Sequence, residues 1–447
     1  GFFSVYTSPW FSAVYLLLLV SLVGCILPRS FVSLRALRAR PPKAPRNFSR
    51  LPASASFETD ASVDDVLAAG RRALGRARVD KVIEGGSGEL RAEKGYLREA
   101  GNLVFHISVV VVLLGVAFGT LFGYRGTAIV TEGDGFSNVL TQYDEFASGS
   151  LFDTDKLPPF SLTLDKFTAR FQLSGPQRGA PRKFEATGRY APTPTSAERP
   201  FDITVNHPLK IHGTSVYLVG QGYAPIIKIT DAQGHVAFNG AVPFLPTDPS
   251  YTSTGVVKVP DARPEQLGFQ GFFLPTAVAG SDGVAISAFP AAANPHLGLF
   301  VWHGNLGLDS GQSQSVYVLD KSKMKQYKAA NGKGFPISLN QGQTQKLPGG
   351  GTIQFVDLRQ FVRFQFSSSP WVKVPLFGVA AGVLGLILSL SIKPRRTWIR
   401  ARREGSRTVV DVAVLDRVPR DDLPADLDDF LQRFRESLGE SVEENPA

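Results

Sequence analysis

The sequence predicts a membrane protein with three transmembrane helices and one large, predominantly antiparallel β domain on the extracytoplasmic side. Three observations predict this class. Apolar runs at Trp10 to Leu27, Asn102 to Phe122 and Trp371 to Ile392 approach or exceed the roughly 18–20 residues that cross a ~30 Å hydrocarbon core at ~1.5 Å per helical residue. Lys and Arg crowd particular flanks of these runs. Between the second and third runs, short stretches alternate apolar with polar residues and are separated by Gly, Pro, Asn and Ser clusters, the pattern of half-buried strands.

The basic flanks set the orientation. Helix one ends in Pro28-Arg29 and leads into Arg35, Arg38, Arg40, Lys43, Arg46 and Arg50, while Lys94 and Arg98 precede helix two. Lys393, Arg395, Arg396, Arg400, Arg402, Arg403 and Arg407 follow helix three. Cytoplasmic loops next to spanning helices collect such residues. The expected organisation is an external segment 1–9, a transmembrane helix 10–27, a cytoplasmic loop 28–101 with a small α+β insert, and a second helix 102–122. An extracytoplasmic β-rich domain 123–370, a third helix 371–392 and a cytoplasmic tail 393–447 follow. The net charge of +9 owes much to these flanks, so it signals topology and contact with the lipid bilayer, with no nucleic-acid partner. Because helix one enters from outside close to Gly1, a further helix upstream is expected to bring the chain there.

Within the loop, Arg40-Pro-Pro-Lys-Ala-Pro-Arg46 reads as an extended linker. Ser62-Val-Asp-Asp65 is a capping signal for a helix presenting Val63, Val66, Leu67 and Leu74. Arg78 to Ile83 and Glu89 to Ala92 flank Glu84-Gly-Gly-Ser-Gly88, a hairpin signature. In the β domain, strands are expected at Ala128–Thr131, Phe160–Leu164, Phe201–Val205, Ser215–Val219, Ile226–Thr230, Val316–Leu319, Thr352–Val356 and Phe361–Phe366. No helical period of comparable length occurs there. The tail carries an amphipathic helix after Pro424, with Leu427, Phe430, Leu431, Phe434 and Leu438 on one stripe. The acidic end, Glu440 to Glu444, is expected to be disordered.

Cys25 is the only cysteine. The β domain therefore holds no disulfide, and this chain contains neither a thiol redox pair nor a CxxCH haem-attachment motif. Nucleophile elbows, P-loops, dinucleotide fingerprints and paired-carboxylate patterns are absent from the sequence, so catalysis by this chain alone has little support. His106 is the residue that stands out, inside Leu103-Val-Phe-His-Ile-Ser-Val-Val-Val-Val, near the cytoplasmic boundary of helix two. Ionisable side chains in spanning segments are costly and usually have a partner or a function. Two readings are open: a neutral imidazole hydrogen-bonded to a backbone carbonyl, or an axial ligand to a metal, haem iron above all, whose flat apolar ring fits between helices. Cys25, at a similar depth on helix one, is either packing or a second ligand. The remaining histidines, His207, His212, His235, His296 and His303, show no zinc spacing and read as turn or pocket residues. Tyr217, Phe272, Phe273 and Trp302 are aromatic residues that would serve either a core or a docking surface.

Several strings together resemble the ResB family of cytochrome c biogenesis proteins, part of the system II haem delivery and ligation machine. They are Gly1 to Phe11, Leu22 to Arg29, Lys94-Gly-Tyr-Leu-Arg-Glu-Ala-Gly-Asn-Leu-Val-Phe-His106, Pro159 to Asp165, Val205-Asn-His-Pro-Leu209, Gly213 to Tyr217 and Leu388 to Arg396. The resemblance runs from residue 1 to about 400, loosely over 235–345, and Lys94–His106 is its most specific part. It implies a subunit of a cytochrome c haem lyase complex in the bacterial cytoplasmic membrane, handling haem b as cargo. It also implies a second polytopic subunit with an external Trp-rich loop, absent from this chain, and apocytochrome c as partners. The helix-two histidine, matched by His106, is by resemblance a haem ligand toward the inner face. The alternative is a membrane-anchored β domain that binds a protein or envelope component without cofactor.

Overall fold

The computed structural model describes residues 8–281, 283–308, 315–416 and 422–439. The N-terminal segment to Thr7 and the acidic end from Glu440 lie outside them. Five α-helices are described: α1 (Pro9–Arg38), α2 (Val63–Ala73), α3 (Leu97–Phe122), α4 (Lys373–Ser391) and α5 (Leu423–Leu438). Of these, α1, α3 and α4 are long and apolar enough to cross a membrane. The chain divides into two compact units, Gly1–Ala117 with Trp371–Ala447, and Phe118–Pro370.

In the first unit, Ser8 caps α1 by accepting from the Phe11 amide, with Pro9 in the first turn, where its missing N–H costs nothing. The helix does not stop at Pro28 as the sequence suggested. It continues to Arg38 with Pro28 inside it, and the amide that Pro28 lacks leaves the Gly24 carbonyl without its helical donor. Cys25 is therefore not in its last turn. Helices α3 and α4 meet through small residues: a Cβ added at Gly385 would lie 2.7 Å from the Gly101 carbonyl and the Phe105 amide, and one at Gly382 would lie 2.7 Å from Ser108 Oγ. Backbones approach this closely only where side chains are missing, the usual device for helix pairing in lipid.

The same unit carries an α+β domain assembled from both sides of the α3–α4 pair. Its five-stranded sheet runs Ala53–Thr59, Arg407–Asp416, Arg395–Glu404, Ser87–Lys94, Arg78–Glu84. The Arg78–Glu84 and Ser87–Lys94 strands close through Gly85-Gly86, whose φ angles of +57° and +81° suit a two-residue hairpin turn. As expected, Ser62 caps α2, accepting from the Asp65 amide at 3.2 Å. Helices α2 and α5 cover one face, burying Val66, Leu67, Leu90, Ile399, Val412 and Phe434 together. The tail stripe is thus taken by the insert. On the opposite face the Pro-rich segment is no linker but a strap: Trp398 Nε1 donates to the Pro42 carbonyl at 3.0 Å, and Arg400 donates to the carbonyls of Pro45 and Arg46 while lying 4.5 Å over the Phe48 ring.

The second unit is a double β-sandwich in which every named strand pair is antiparallel. Two 17-residue strands, Thr214–Thr230 and Thr352–Ser368, pair along their length and form its spine. The pairs expected at Ser215–Val219 and Ile226–Thr230, and at Thr352–Val356 and Phe361–Phe366, are therefore the two halves of single strands. Register shifts near Gly220 and Ile226 let each half serve a different core. One core joins Ile227, Ile229, Ile353 and Phe355 to Phe269, Phe273, Leu299 and Val301. The other joins Val216, Val362, Phe364 and Phe366 to Phe136, Phe160, Leu164 and Ile203. Among the described residues of this unit, helix is confined to 3₁₀ turns and the end of α3. Val316–Leu319 is a correction, since it forms a turn and not a strand. Its alternation is real, with Val316 and Val318 exposed and Leu319 buried beside Val256 and Trp302, but among the described residues no strand pairs with it to complete a ladder.

Candidate functional site

The candidate site is built on α3. Gly95, at φ +81°, turns the strand Ser87–Lys94 into the helix, and the absence of a side chain there admits the Lys393 carbonyl, which would lie 2.7 Å from a Cβ. At about 100° per residue, three faces follow. Gly101, Phe105, Ser108, Val112 and Gly115 fall on the face that meets α4. Ile107, Val110 and Val111 face α1 across a shallow apolar groove of about 290 Å³. The third is the stripe of Asn102 and His106, and it borders α1: Glu99, two turns before His106, is bonded to Ser33 of α1 at 3.4 Å, and Val110, one turn after it, lines the groove.

His106 is half-buried, and its Nδ1 lies 2.7 Å from the Asn102 carbonyl one turn earlier. A carbonyl can only accept, so Nδ1 carries a hydrogen, and Nε2 is the nitrogen that presents a lone pair in the neutral ring. This is the hydrogen bond of the first reading, and it also fixes the tautomer and ring orientation that the second requires. Asn102 was missed in the sequence as a contributor, although its i−4 spacing from His106 was visible.

Cys25 is exposed. The hydrogen bonds Tyr15 to the Leu113 carbonyl (3.2 Å) and Ser33 to Glu99 bracket its level. Interpolating along the antiparallel helices sets it opposite about residue 105 of α3. Helical spacing nevertheless puts it on the side of α1 away from Val23, Ile26, Leu27, Ser30 and Leu34, which line the groove toward α3. Among the described residues no three His, Cys, Asp or Glu side chains converge as a metal site.

The other histidines are dispersed over the β unit. His207 closes the turn after Thr204, its Nδ1 near Thr204 Oγ1 and the Val205 carbonyl. His212 and Gly213, at φ +46° and +82°, form the two-residue turn into the spine strand. His235 ends the turn from buried Asp231. His296 bonds Asn340 at 2.9 Å. His303 bonds Glu265 and stacks on Tyr327, ring centroids 4.3 Å apart. The aromatic quartet divides: Phe273 is fully buried and Trp302 nearly so, while Tyr217 is exposed and Phe272 half-exposed. Successive strand residues point to opposite faces, so Phe272 and Phe273 could not both serve one surface.

Comparison with known proteins adds the lineage. The model of the ResB-like family matches residues 1–428. Cytochrome c biogenesis protein CcsB of Synechococcus sp. (strain JA-3-3Ab) is 24% identical over 390 residues, 87% of this chain and 69% of that protein. The CcsB proteins of Prochlorococcus marinus (strain MIT 9313) and Synechococcus sp. (strain WH7803) are 26% and 28% identical over 225 and 214 residues. Those alignments cover 50% and 48% of this chain but only 47% and 45% of the relatives, so the matched region spans about half their length.

Proposed function

This chain belongs to the ResB-like family, and on that premise we propose that it is a cytochrome c biogenesis subunit that carries haem b across the bacterial cytoplasmic membrane and supports its covalent attachment to apocytochrome c. The α+β domain lies in the cytoplasm and the β unit outside, by the bias of Lys and Arg around the helices. The observation that supports the reading is His106: a half-buried imidazole in a membrane-spanning segment whose Nδ1 is held by the Asn102 carbonyl, which leaves Nε2 as the nitrogen outside that bond. A neutral imidazole oriented through its other nitrogen is the usual way a protein presents nitrogen to haem iron. There haem would share the membrane with the second, polytopic subunit carrying the external Trp-rich loop. Cys25, level with His106 but on the far side of α1, is the lesser ligand candidate. The β unit docks the partner subunit or apocytochrome c, with Tyr217 the aromatic side chain of the four most open to contact.

The test is ligand replacement at one position. His106→Ala should lower both the haem that copurifies with the membrane-inserted protein and the cytochrome c it assembles. His106→Gly should respond to added imidazole, which can occupy the vacated coordination position. Wild-type haem content and an unchanged absorption spectrum in His106→Ala would overturn the assignment.

A further inference from the structure

We propose that the β unit carries a binding cleft for a compact dianionic group, a phosphate or a pair of carboxylates. The cleft, of about 370 Å³, lies between two hairpin turns and is lined by Tyr190, Thr193, Ser196, Arg199, Lys210 and His212. Its charge is one-sided: no carboxylate lines it.

The strand pattern explains why the cations there are left uncompensated. Tyr190 and Arg199 are direct cross-strand partners and so share a face. Arg189, one residue earlier, projects from the other face, where it takes Asp165 at 3.1 Å and Glu198 at 2.8 Å. The carboxylate beside Arg199 in sequence is thereby used elsewhere. Among the described residues Arg199 and Lys210 make no ion pair. Lys210 stands opposite Ser215 on the second hairpin, and His212 is held at its tip in the left-handed region, at φ +46°.

The donor set fits an oxyanion. Arg199 offers a planar fork suited to two oxygens, Lys210 a point charge, and the Thr193 and Ser196 hydroxyls, bonded to each other at 2.6 Å, one further donor between them. Tyr190 supplies an aromatic wall.

The experiment uses the full chain in nanodiscs of neutral phosphatidylcholine, titrated calorimetrically with inorganic pyrophosphate. Wild-type protein should bind, and Arg199→Gln with Lys210→Gln should weaken binding by about tenfold or more, as expected when charge-assisted bonds are lost. Lys346→Gln, an exposed cation outside the cleft, should bind like wild type, and Arg199→Lys should retain part of the affinity. Thermal unfolding of each variant separates lost binding from lost fold. A second arm uses metal-free mesoporphyrin IX against its dimethyl ester. Porphyrin binding that the ester lacks and the double variant loses assigns the cleft to the propionate edge of a porphyrin, whereas binding of pyrophosphate alone assigns it to a free phosphate group. Neither probe needs iron ligation, so these results stand apart from those at His106. Wild-type protein that binds neither probe, or a double variant that binds as well as wild type, overturns the proposal.

Discussion

Asp231 is 1% exposed, yet its carboxylate accepts from the backbone amides of Gln233 at 2.9 Å, His235 at 3.0 Å and Arg263 at 3.2 Å. Burial pushes its pKa up, and the three donors more than reverse that, so the group is held below the usual carboxylate range. A depressed folded pKa contributes stability that is present above the unfolded value near ~3.9 and is lost as the pH falls through the folded value. Asp231→Asn should therefore unfold more easily than wild type at pH 7, with the difference narrowing as the pH drops below about 4. Thermal unfolding across that range is the check, and a gap that stays constant from neutral to strongly acid pH would refute the account. None of this was legible in the sequence, because the value of an aspartate depends on three amides brought to it by a turn and by a loop at residue 263. His106 was legible for the opposite reason: a titratable side chain in an apolar run is conspicuous without any fold. Its available nitrogen was not, since that follows from the rotamer that reaches Asn102.

At the level of elements, the α3–α4 contact rests on backbone proximity. A valine at Gly385 would drive its Cβ against the Gly101 carbonyl and Phe105 amide, each 2.7 Å away, and backbone cannot yield as a flexible side chain can. Gly385→Val should lower thermal stability in detergent by the equivalent of about 1–3 kcal/mol or more, while Gly24→Ala, with open space around it, should change it by less than about 0.5 kcal/mol. Equal melting of the two variants would show that the small-residue contact is not what holds the pair. The three apolar helices were readable as unbroken apolar runs, α2 and α5 by their helical period, and the expected strands other than Val316–Leu319 by their alternation. The extension of α1 was not, since a proline ordinarily ends a helix and nothing in the local pattern marks Pro28 as interior. The strands Arg395–Glu404 and Arg407–Asp416 were hidden by arginines, which read as membrane flanks. In the structure they alternate as surface ion-pair formers, Arg400 with Glu89 and Arg402 with Asp411, around buried Trp398, Ile399 and Ala401.

For the whole molecule, the decisive feature is that segments before α3 and after α4 are neighbours in one sheet. Lys94 pairs with Arg395 and Gly88 with Ala401, so the strands that feed and leave the helix pair are hydrogen-bonded to each other. The sequence indicated only that both flanks are basic; that they form one domain depends on pairing across some 300 residues, which no local pattern reports. Such a domain depends on its last element. Helix α5 buries Leu423, Leu427, Phe430 and Phe434 against α2 and the sheet, and at about 1.5–3 kcal/mol for each apolar side chain these contribute up to about 6–12 kcal/mol before allowance for a compact unfolded state. That matches the ~5–15 kcal/mol that holds a typical domain together. Ending the chain after Asp416 should therefore unfold the α+β domain while leaving the Gly101–Gly385 contact between α3 and α4 intact. Limited trypsin digestion should then cut at Arg71 to Arg91 and at Arg395 to Arg407, sites that the sheet and α2 protect in the full chain. Phe434→Ala, which removes one ring from the same core, should give an intermediate sensitivity, its cost being about 3–5 kcal/mol. A truncated chain as resistant at those sites as the full one would mean that the strands pair without their helical cover, and that α5 is free to engage something other than this domain.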